Sequence, residues 1–472
     1  MDSSGYQTRY YPKEDNVGGT QGLNLIFLLL QYPFTLIPTV CVVPAVLVAS
    51  VANLSVLQAI ALALSLPILA VSTFATGLLV LSWLYSSKDF VDGAHWNQHI
   101  TIHDKSIAAK YANERIPIAT FIQLYITEKA DLKQEDFVKT LYEQRHKIFR
   151  FVFTLEHFTF FTVKFMGQIV LHSQSIDTAE IRDVYERGND FYGWFLGERM
   201  IYTSALFENE KETLEEAQDR KLDTVCRKLH MSPGDRHLDI GCGWGTLICH
   251  AAKYYGSTSL GVTLAKDQQV YLNEVNAPKY GVVGKARIDC MDYRDIAQGQ
   301  KFDKITSLEM AEHVGIKNFQ THLLQVKDLL TDDGLFYMQI AGLRRPWQFE
   351  DLIWGVFMGT YIFPAADSSC PLAFVIEQAE RAGFEIHSME NCGVHYSLTI
   401  HKWFQNWLSN KDAVVAKYGE WYYRLWVVFL GWSTVIASQG CSTVFLITMN
   451  KNRSAFDRKG MWVGECPIAV QQ

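Results

Sequence analysis

From Asn16 to Ser87 the chain carries no Asp, Glu, Lys, Arg or His, and Leu, Val, Ile, Ala and Phe dominate the interval. No other feature constrains the fold as strongly, because the run is too long for one core helix and has no charge to keep its surface in water. At about 20 residues per crossing it spans a bilayer twice. The first span is predicted from about Leu23 to Ala49 and the second from about Leu57 to Trp83, with Ser50 to Ser55 as the turn. Trp83 and Tyr85, followed by Lys88, supply an interfacial end. Pro33, Pro38, Pro44 and Pro67 weaken or kink such helices, which membranes tolerate where neighbours satisfy the freed carbonyls. A cleaved signal peptide fits badly, since its apolar core is about 7–15 residues long and is not followed at once by a second. The competing reading is a buried helical pair. Two crossings return the chain to its starting side, so the 1–22 tail and everything after Lys88 share one compartment.

Composition agrees with a lipid environment: 49% of residues are apolar and only 20% charged. With 43 basic and 50 acidic side chains the net charge is −7, which gives no positive field to collect nucleic acid. The nine cysteines include no C-x-x-C pair, so neither a zinc ribbon nor a disulfide framework is indicated, and a reducing, cytosol-facing environment is expected. Residues 87–176 read as a juxtamembrane helical connector. In it Phe151, Phe153, Phe158, Phe160, Phe161 and Phe165 alternate with charges, as in a helix lying on a membrane or packed on the next domain. His95, His99 and His103 would share a helix face at i, i+4, i+8, a spacing able to hold metal, though a solvated face explains them equally well. The further H-x-x-H-H boxes of membrane desaturases are missing, and no metal is implied.

From about Lys221 the texture becomes the βα rhythm of a doubly wound sheet. His237 to Ile240 reads as a strand, followed by Gly241-Cys242-Gly243-Trp244-Gly245 and a helix from Thr246 to Tyr254. Glycines at this turn let the backbone approach a ligand and present a helix N-terminus to it. The spacing G-x-G-x-G after Asp239 differs from the dinucleotide fingerprint G-x-G-x-x-G and resembles the first motif of S-adenosylmethionine-dependent methyltransferases. A second strand, Ser259 to Thr263, ends without the acidic residue expected for ribose hydroxyls, leaving Thr263 with Gln268 or Asp267 to serve. Ala286 to Met291 ends in Asp292-Tyr293, suited to adenine. Phe302 to Leu308 runs into Glu309-Met310-Ala311-Glu312-His313, Leu335 to Ile340 follows, and Val444 to Met449 closes the sheet. The competing reading of that last region is a third membrane span from Trp426 to Met449.

Several ordered segments resemble one family. Tyr185 to Tyr192, Met200 to Ala205, Leu238 to Gly245, Gly261 to Leu264, Asp292 to Asp295, Glu312 to Gly315 and Tyr361 to Pro364 resemble the motifs of cyclopropane-fatty-acid synthases and mycolic-acid methyltransferases. With two membrane spans in front, the whole chain looks like the fungal sphingolipid C9-methyltransferases. The resemblance implies a Rossmann-like α/β methyltransferase fold, a doubly wound sheet with an antiparallel last strand, over 177–460. It also implies a substrate-covering insertion at about 341–420 and a 461–472 tail, after transmembrane helices in 23–86. S-adenosylmethionine is then the donor, held by Tyr202, Asp239, Gly241, Gly243, Gly245, Thr263, Gln268, Asp292 and Tyr293. The expected substrate is a membrane lipid, glucosylceramide or a related sphingolipid, in the endoplasmic reticulum or a related endomembrane.

The implied chemistry is methyl transfer to an isolated alkene, a poor nucleophile that must be held in line with the donor in a dry pocket. The resulting carbocation must lose a proton to a nearby base. In the family that base is a bicarbonate oriented by a Glu and a Tyr, which Glu312 and Tyr396 match. The family's Cys, His and Ile at this site correspond to Ser204, Gln339 and Ala341, departures that count against bicarbonate, although backbone contacts would survive them. Glu309, where the bacterial enzymes of the family usually carry Gly, reads as an alternative base or, more readily, a surface carboxylate, and His313 as a packed histidine. The competing functions are a cyclopropane synthase acting on unsaturated phospholipid acyl chains and a catalytically idle, donor-binding scaffold.

Overall fold

The protein is described here from a computed structural model, which covers residues 55–133, 137–165, 187–345, 348–363 and 370–462. These residues form two compact units. The first takes the described residues up to 165 with those of 345–364 and 415–435; the second takes the remainder.

In the first unit the uncharged run enters at Ser55. Its hydroxyl accepts from the Gln58 N–H at 3.4 Å and its own N–H donates to Gln58 Oε1 at 3.0 Å, a reciprocal cap that satisfies two otherwise orphaned donors. Helix α1, Val56–Tyr85, follows for 30 residues. Its end is pinned by Trp83 Nε1, which donates to the Phe153 carbonyl at 2.7 Å, and by Ser82 Oγ, which accepts from Phe153 N–H at 2.9 Å. The predicted first span, Leu23 to Ala49, lies outside the described residues, as do most side chains of α1 before Val71. Among the described residues no helix is long and apolar enough to cross a membrane.

After α1 the chain is not purely helical. Ile100–Ile102 pairs antiparallel with Ala130–Leu132, and Ile116–Pro117 parallel with Phe149–Arg150. The helix face predicted for His95, His99 and His103 does not form. His95 caps a short turn at Trp96–Gln98, and His99 then leads into the strand Ile100–Ile102. His103 Nε2 lies 2.7 Å from Asp131 Oδ2. β-branched Ile100, Thr101 and Ile102 favour the strand over the helix. In the Phe151–Phe165 stretch, Phe151 and Phe153 precede the helix and Phe153 is buried, while helical turns run from Leu155–Thr159 on through Phe160–Phe165.

The second unit is built on one sheet. Its strands are β1 Arg236–Ile240, β2 Thr258–Thr263, β3 Ala286–Cys290, β4 Phe302–Leu308, β5 Leu330–Leu343, β6 Phe384–Asn391 and β7 Ser442–Lys451. They lie in the order β3-β2-β1-β4-β5-β7-β6. β1 to β5 are parallel where they meet, and β7 runs antiparallel to both β5 and β6. The doubly wound sheet with an antiparallel last strand is thus present. Because β7 begins at Ser442, the reading of Trp426 to Met449 as a third span falls. β6 has no counterpart in the sequence reading.

Helices cover both faces. On one, Leu222 and Val225 of α2 (Leu214–Lys228) and Leu247 and Ala251 of α3 (Thr246–Tyr254) pack on Leu335, Tyr337, Val444 and Leu446. On the other, Phe319, Leu323 and Val326 of α4 (Gly315–Leu329) pack on Leu238, Ile240, Phe336 and Met338. Burial on both faces explains why the parallel strands read as near-continuous apolar runs.

Candidate active site

β1 and β4 are adjacent, and the helices that follow them, α3 and α4, go to opposite faces. Open α/β sheets bind ligands at such a switch point. A cavity of about 250 Å³ lies there, lined by residues that follow β1, β2, β3 and β4.

The turn after β1 is left-handed at Gly241, Gly243 and Gly245, with φ of +77°, +53° and +78°. A Cβ at Gly241 would meet Met310 Cγ at 2.4 Å and one at Gly245 would meet Leu272 Cδ1 at 2.6 Å. At Gly243 nothing lies within 4 Å, and this glycine borders the cavity. Gly245 does not border it; it starts α3 instead.

Asp239, at the end of β1, accepts from Thr306 Oγ1 at 2.6 Å. Burial pushes its carboxyl up to about 6, opposed by the Thr306 hydrogen bond and the Lys221 charge. Since the Thr306 proton goes to Asp239, His237 Nε2, 2.8 Å from Thr306 Oγ1, is the donor there. His237 Nδ1 then accepts from Ser259 Oγ at 3.1 Å.

At the tip of β2, Thr263 Oγ1 donates to Gln268 Oε1 at 2.5 Å, which leaves the amide NH2 for a ligand oxygen. After β3, Asp292 is gripped by Arg294, its Oδ1 accepting from the Arg294 N–H at 2.9 Å and Nε at 2.8 Å. Tyr293 packs edge-on against His322, ring centroids 5.0 Å apart. Both His322 nitrogens are buried without a hydrogen-bond partner among the described residues, and burial pulls this imidazole down to about 4. Lys221 of α2 reaches the same wall, its Nζ donating to Thr203 Oγ1 at 2.7 Å. Burial pulls this ammonium down to about 8 against the pull of Glu309 and Asp239.

A second group of polar residues adjoins the cavity. Glu309 is half-buried on the cavity wall, not on the outer surface, and its φ is +50°. Its Oε1 accepts from the Ser204 N–H at 2.7 Å and from Gln339 Nε2 at 2.6 Å. Gln339 Nε2 also donates to the Ser204 carbonyl at 3.2 Å. Glu312, in the turn Ala311–His313, accepts from the Ala341 N–H at 2.5 Å through Oε1. Its Oε2 has no partner among the described residues, and burial, reinforced by the Glu309 charge, pushes the carboxyl up to about 8. Burial, reinforced by the charges of Glu309 and Glu312, raises the Tyr396 phenol well above the usual range. Glu309 and His313 stand on the cavity wall; Ser204, Gln339, Glu312 and Tyr396 are not on it.

The family model for mycolic acid cyclopropane synthetase matches residues 172–447. The chain belongs to the mycolic acid cyclopropane synthetase family. A sphingolipid C9-methyltransferase of Komagataella phaffii is 48% identical over 373 residues, 77% of this chain and 76% of that protein. A sphingolipid C9-methyltransferase of Candida albicans is 44% identical, covering 76% of this chain and 72% of that one. Among solved structures, the cyclopropane synthase MmaA2 of Mycobacterium tuberculosis aligns with a TM-score of 0.54 at 26% identity, over 58% of this chain and 98% of its own. The mycolic acid cyclopropane synthase CmaA1, complexed with SAH and CTAB, gives 0.55 at 25% identity over the same shares.

This family member is therefore an S-adenosylmethionine-dependent methyltransferase, with S-adenosylmethionine as its methyl donor. The residues present fit the donor. Tyr202, Asp239, Gly241, Gly243, Thr263, Gln268, Asp292 and Tyr293 all line the cavity, and the bare Gly243 keeps it open. Bicarbonate does not fit in the same way, because the Ser204 N–H and Gln339 Nε2 already donate to Glu309 and the Ala341 N–H to Glu312. Lys221 and His322 were not singled out in the sequence. For Lys221 a signal exists: it shares the apolar face of α2 with Leu214, Ala217, Gln218 and Val225, where a lysine is out of place.

Proposed function

We propose that this lipid methyltransferase adds a methyl group to C9 of the 8-unsaturated sphingoid base of glucosylceramide, giving a 9-methyl-4,8-sphingadienine. The identity of 44–48% to proteins named sphingolipid C9-methyltransferase, over about three quarters of each chain, carries the reading. When bound, S-adenosylmethionine supplies an electrophilic methyl on a sulfonium, which the alkene accepts to leave a lipid carbocation. The chain's part is to orient and to remove a proton. The Gly241–Gly245 loop and Asp239 receive the amino-acid end of the donor, Thr263 and Gln268 its ribose, and Asp292 and Tyr293 its base. Glu312 is buried, and Glu309 and Tyr396 are half-buried beside it, which limits the water near a cation that it would trap.

The likeness to cyclopropane synthases supports a second product, a cyclopropane on unsaturated phospholipid acyl chains. Both products gain one methylene in mass, so the test is NMR of the lipid made by the purified enzyme. A vinylic methyl on the sphingoid base supports the first reading and a cyclopropane methylene supports the second.

The enzyme is further proposed to be anchored by two transmembrane helices within 23–86 in the endoplasmic reticulum or a related endomembrane, with the catalytic unit facing the cytosol. The uncharged run in the sequence and the free cysteines support this. Glycosylation tags placed after Lys88 are expected to stay unmodified; modified tags would put the catalytic unit in the lumen.

A further inference from the structure

We infer that Glu309 is the proton acceptor of the reaction, a carboxylate built into the chain where the family binds bicarbonate. The inference rests on the alkene C-methylation proposed above. Three carboxylates stand on the cavity wall: Asp239, Asp292 and Glu309. Asp292 is clasped by Arg294, and Asp239 is tied to Thr306 beneath the donor loop. In Glu309 both hydrogen bonds go to Oε1, and Oε2 takes none among the described residues. One oxygen is thus fixed while the other is free for a proton.

The cradle around Oε1 is an anion site in its own right. A backbone N–H from Ser204 and a side-chain amide from Gln339 converge on it, and the buried Lys221 ammonium adds attraction. These are the donors a small oxyanion would need, and Glu309 holds them. The backbone supports the same conclusion. Glutamate at φ +50° is strained by about 1–3 kcal/mol, and such strain persists where the surroundings impose it for function. Glu312 sits one step further back, bonded to Ala341 N–H and off the wall, as a positioning residue.

The step balances. The alkene π pair has formed the new carbon–methyl bond and the carbon–sulfur pair has left with sulfur, so the neighbouring carbon is cationic. Glu309 Oε2 takes the hydrogen of the methyl-bearing carbon as a proton. The released C–H pair restores the double bond, and Glu309 is left as a neutral acid that returns its proton to solvent.

Two variants test this. Glu309→Gln keeps the shape without the charge, and Glu309→Gly suits a left-handed backbone, so it folds without strain. In one assay with the wild type, Glu309→Gln is expected to lose about 10²–10⁴-fold in turnover, while calorimetry shows its affinity for S-adenosylhomocysteine unchanged. The wild type should keep its rate in bicarbonate-depleted buffer, and Glu309→Gly should regain activity with added formate or bicarbonate. Turnover of Glu309→Gln within twofold of the wild type, or loss of wild-type rate on bicarbonate depletion, overturns the assignment. If the wild type does not methylate glucosylceramide, the functional reading fails, and an activity-free measurement decides the inference. NMR of [13C]bicarbonate should show binding to Glu309→Gly and none to the wild type; any other pattern overturns it.

Discussion

Gln339 and Glu309 are joined twice: the Gln339 side-chain amide donates to Glu309 Oε1 at 2.6 Å, and the Glu309 backbone N–H donates to the Gln339 carbonyl at 2.7 Å. The backbone bond couples the end of β4 to β5, and the side-chain bond favours the ionised carboxylate. Replacing Gln339 by Leu keeps the backbone bond and removes the side-chain bond, along with the weaker one from Nε2 to the Ser204 carbonyl. A hydrogen bond to a charged group contributes about 1.5–3 kcal/mol, so turnover is expected to fall about 10- to 100-fold with donor affinity unchanged. The ascending limb of the pH–rate profile should also move to higher pH, because the anion has lost a donor. An unmoved limb would make Gln339 a mere packing residue.

The donor loop separates binding from stability. Gly243→Ala places a methyl in open cavity at φ +53°, so it should cost about 1 kcal/mol of stability and abolish S-adenosylmethionine binding in calorimetry. Gly245→Ala drives its methyl to 2.6 Å from Leu272 Cδ1 and should lower the melting temperature more than Gly243→Ala does. Asp239→Ala strips Thr306 of its acceptor and should also abolish binding. Unchanged affinity in both Gly243→Ala and Asp239→Ala would remove the donor from this loop.

What the sequence revealed follows from the range of the interactions involved. α3 was legible to the residue, from Thr246 to Tyr254, and β4 from Phe302 to Leu308, because local periodicity and flanking turns define them. β6 escaped because FEIHSMEN is an edge strand, paired only with β7 and half-buried along most of its length, so no clean alternation marks it. The inward placement of Glu309 could not be read locally: its partners are Ser204, 105 positions earlier, and Gln339, 30 later. At His95 the helical spacing misled because tertiary bonds, Trp96 Nε1 to the Tyr111 carbonyl and His95 Nε2 to the Ala112 carbonyl, fix a different path.

Acidity should act on the catalytic unit in two opposed ways. His237, His250 and His322 have folded values of about 3, 4 and 4 against an ordinary 6.5, because burial disfavours the cation. The unfolded chain protonates first, so their stability is complete above pH 6.5 and is lost as pH falls toward 4. Glu312, raised to about 8 from 4.5, works the other way: the folded state holds the proton, and stability is lost as pH rises from 4.5 to 8. Glu312→Gln, neutral throughout, should therefore gain in urea midpoint relative to the wild type between pH 5 and pH 8. His322→Phe should gain relative to the wild type as pH falls from 6.5 to 5. A constant offset at all pH values in either variant would contradict the corresponding shift.

The first unit contains a buried ion pair whose two partners can be removed separately or together. Arg145 Nε donates to Glu350 Oε1 at 3.0 Å, with the side chains 6% and 3% exposed. His146 Nε2 lies 3.5 Å from Glu350 Oε2, and Trp432 Nε1 lies 3.5 Å from Oε1. Burial alone would raise this carboxyl, yet Arg145, His146 and the Trp432 hydrogen bond hold it below its ordinary value. Removing one partner leaves the other charge desolvated and unpaired, which costs about 3–5 kcal/mol, whereas replacing both with apolar groups of similar size is often neutral. Glu350→Leu should thus lower the urea midpoint strongly, and Arg145→Met should do so as well. The double variant should recover most of the loss, giving a coupling opposite in sign to the single effects. Additive losses in the double variant would show that each side chain is held by its other contacts and not by the pair.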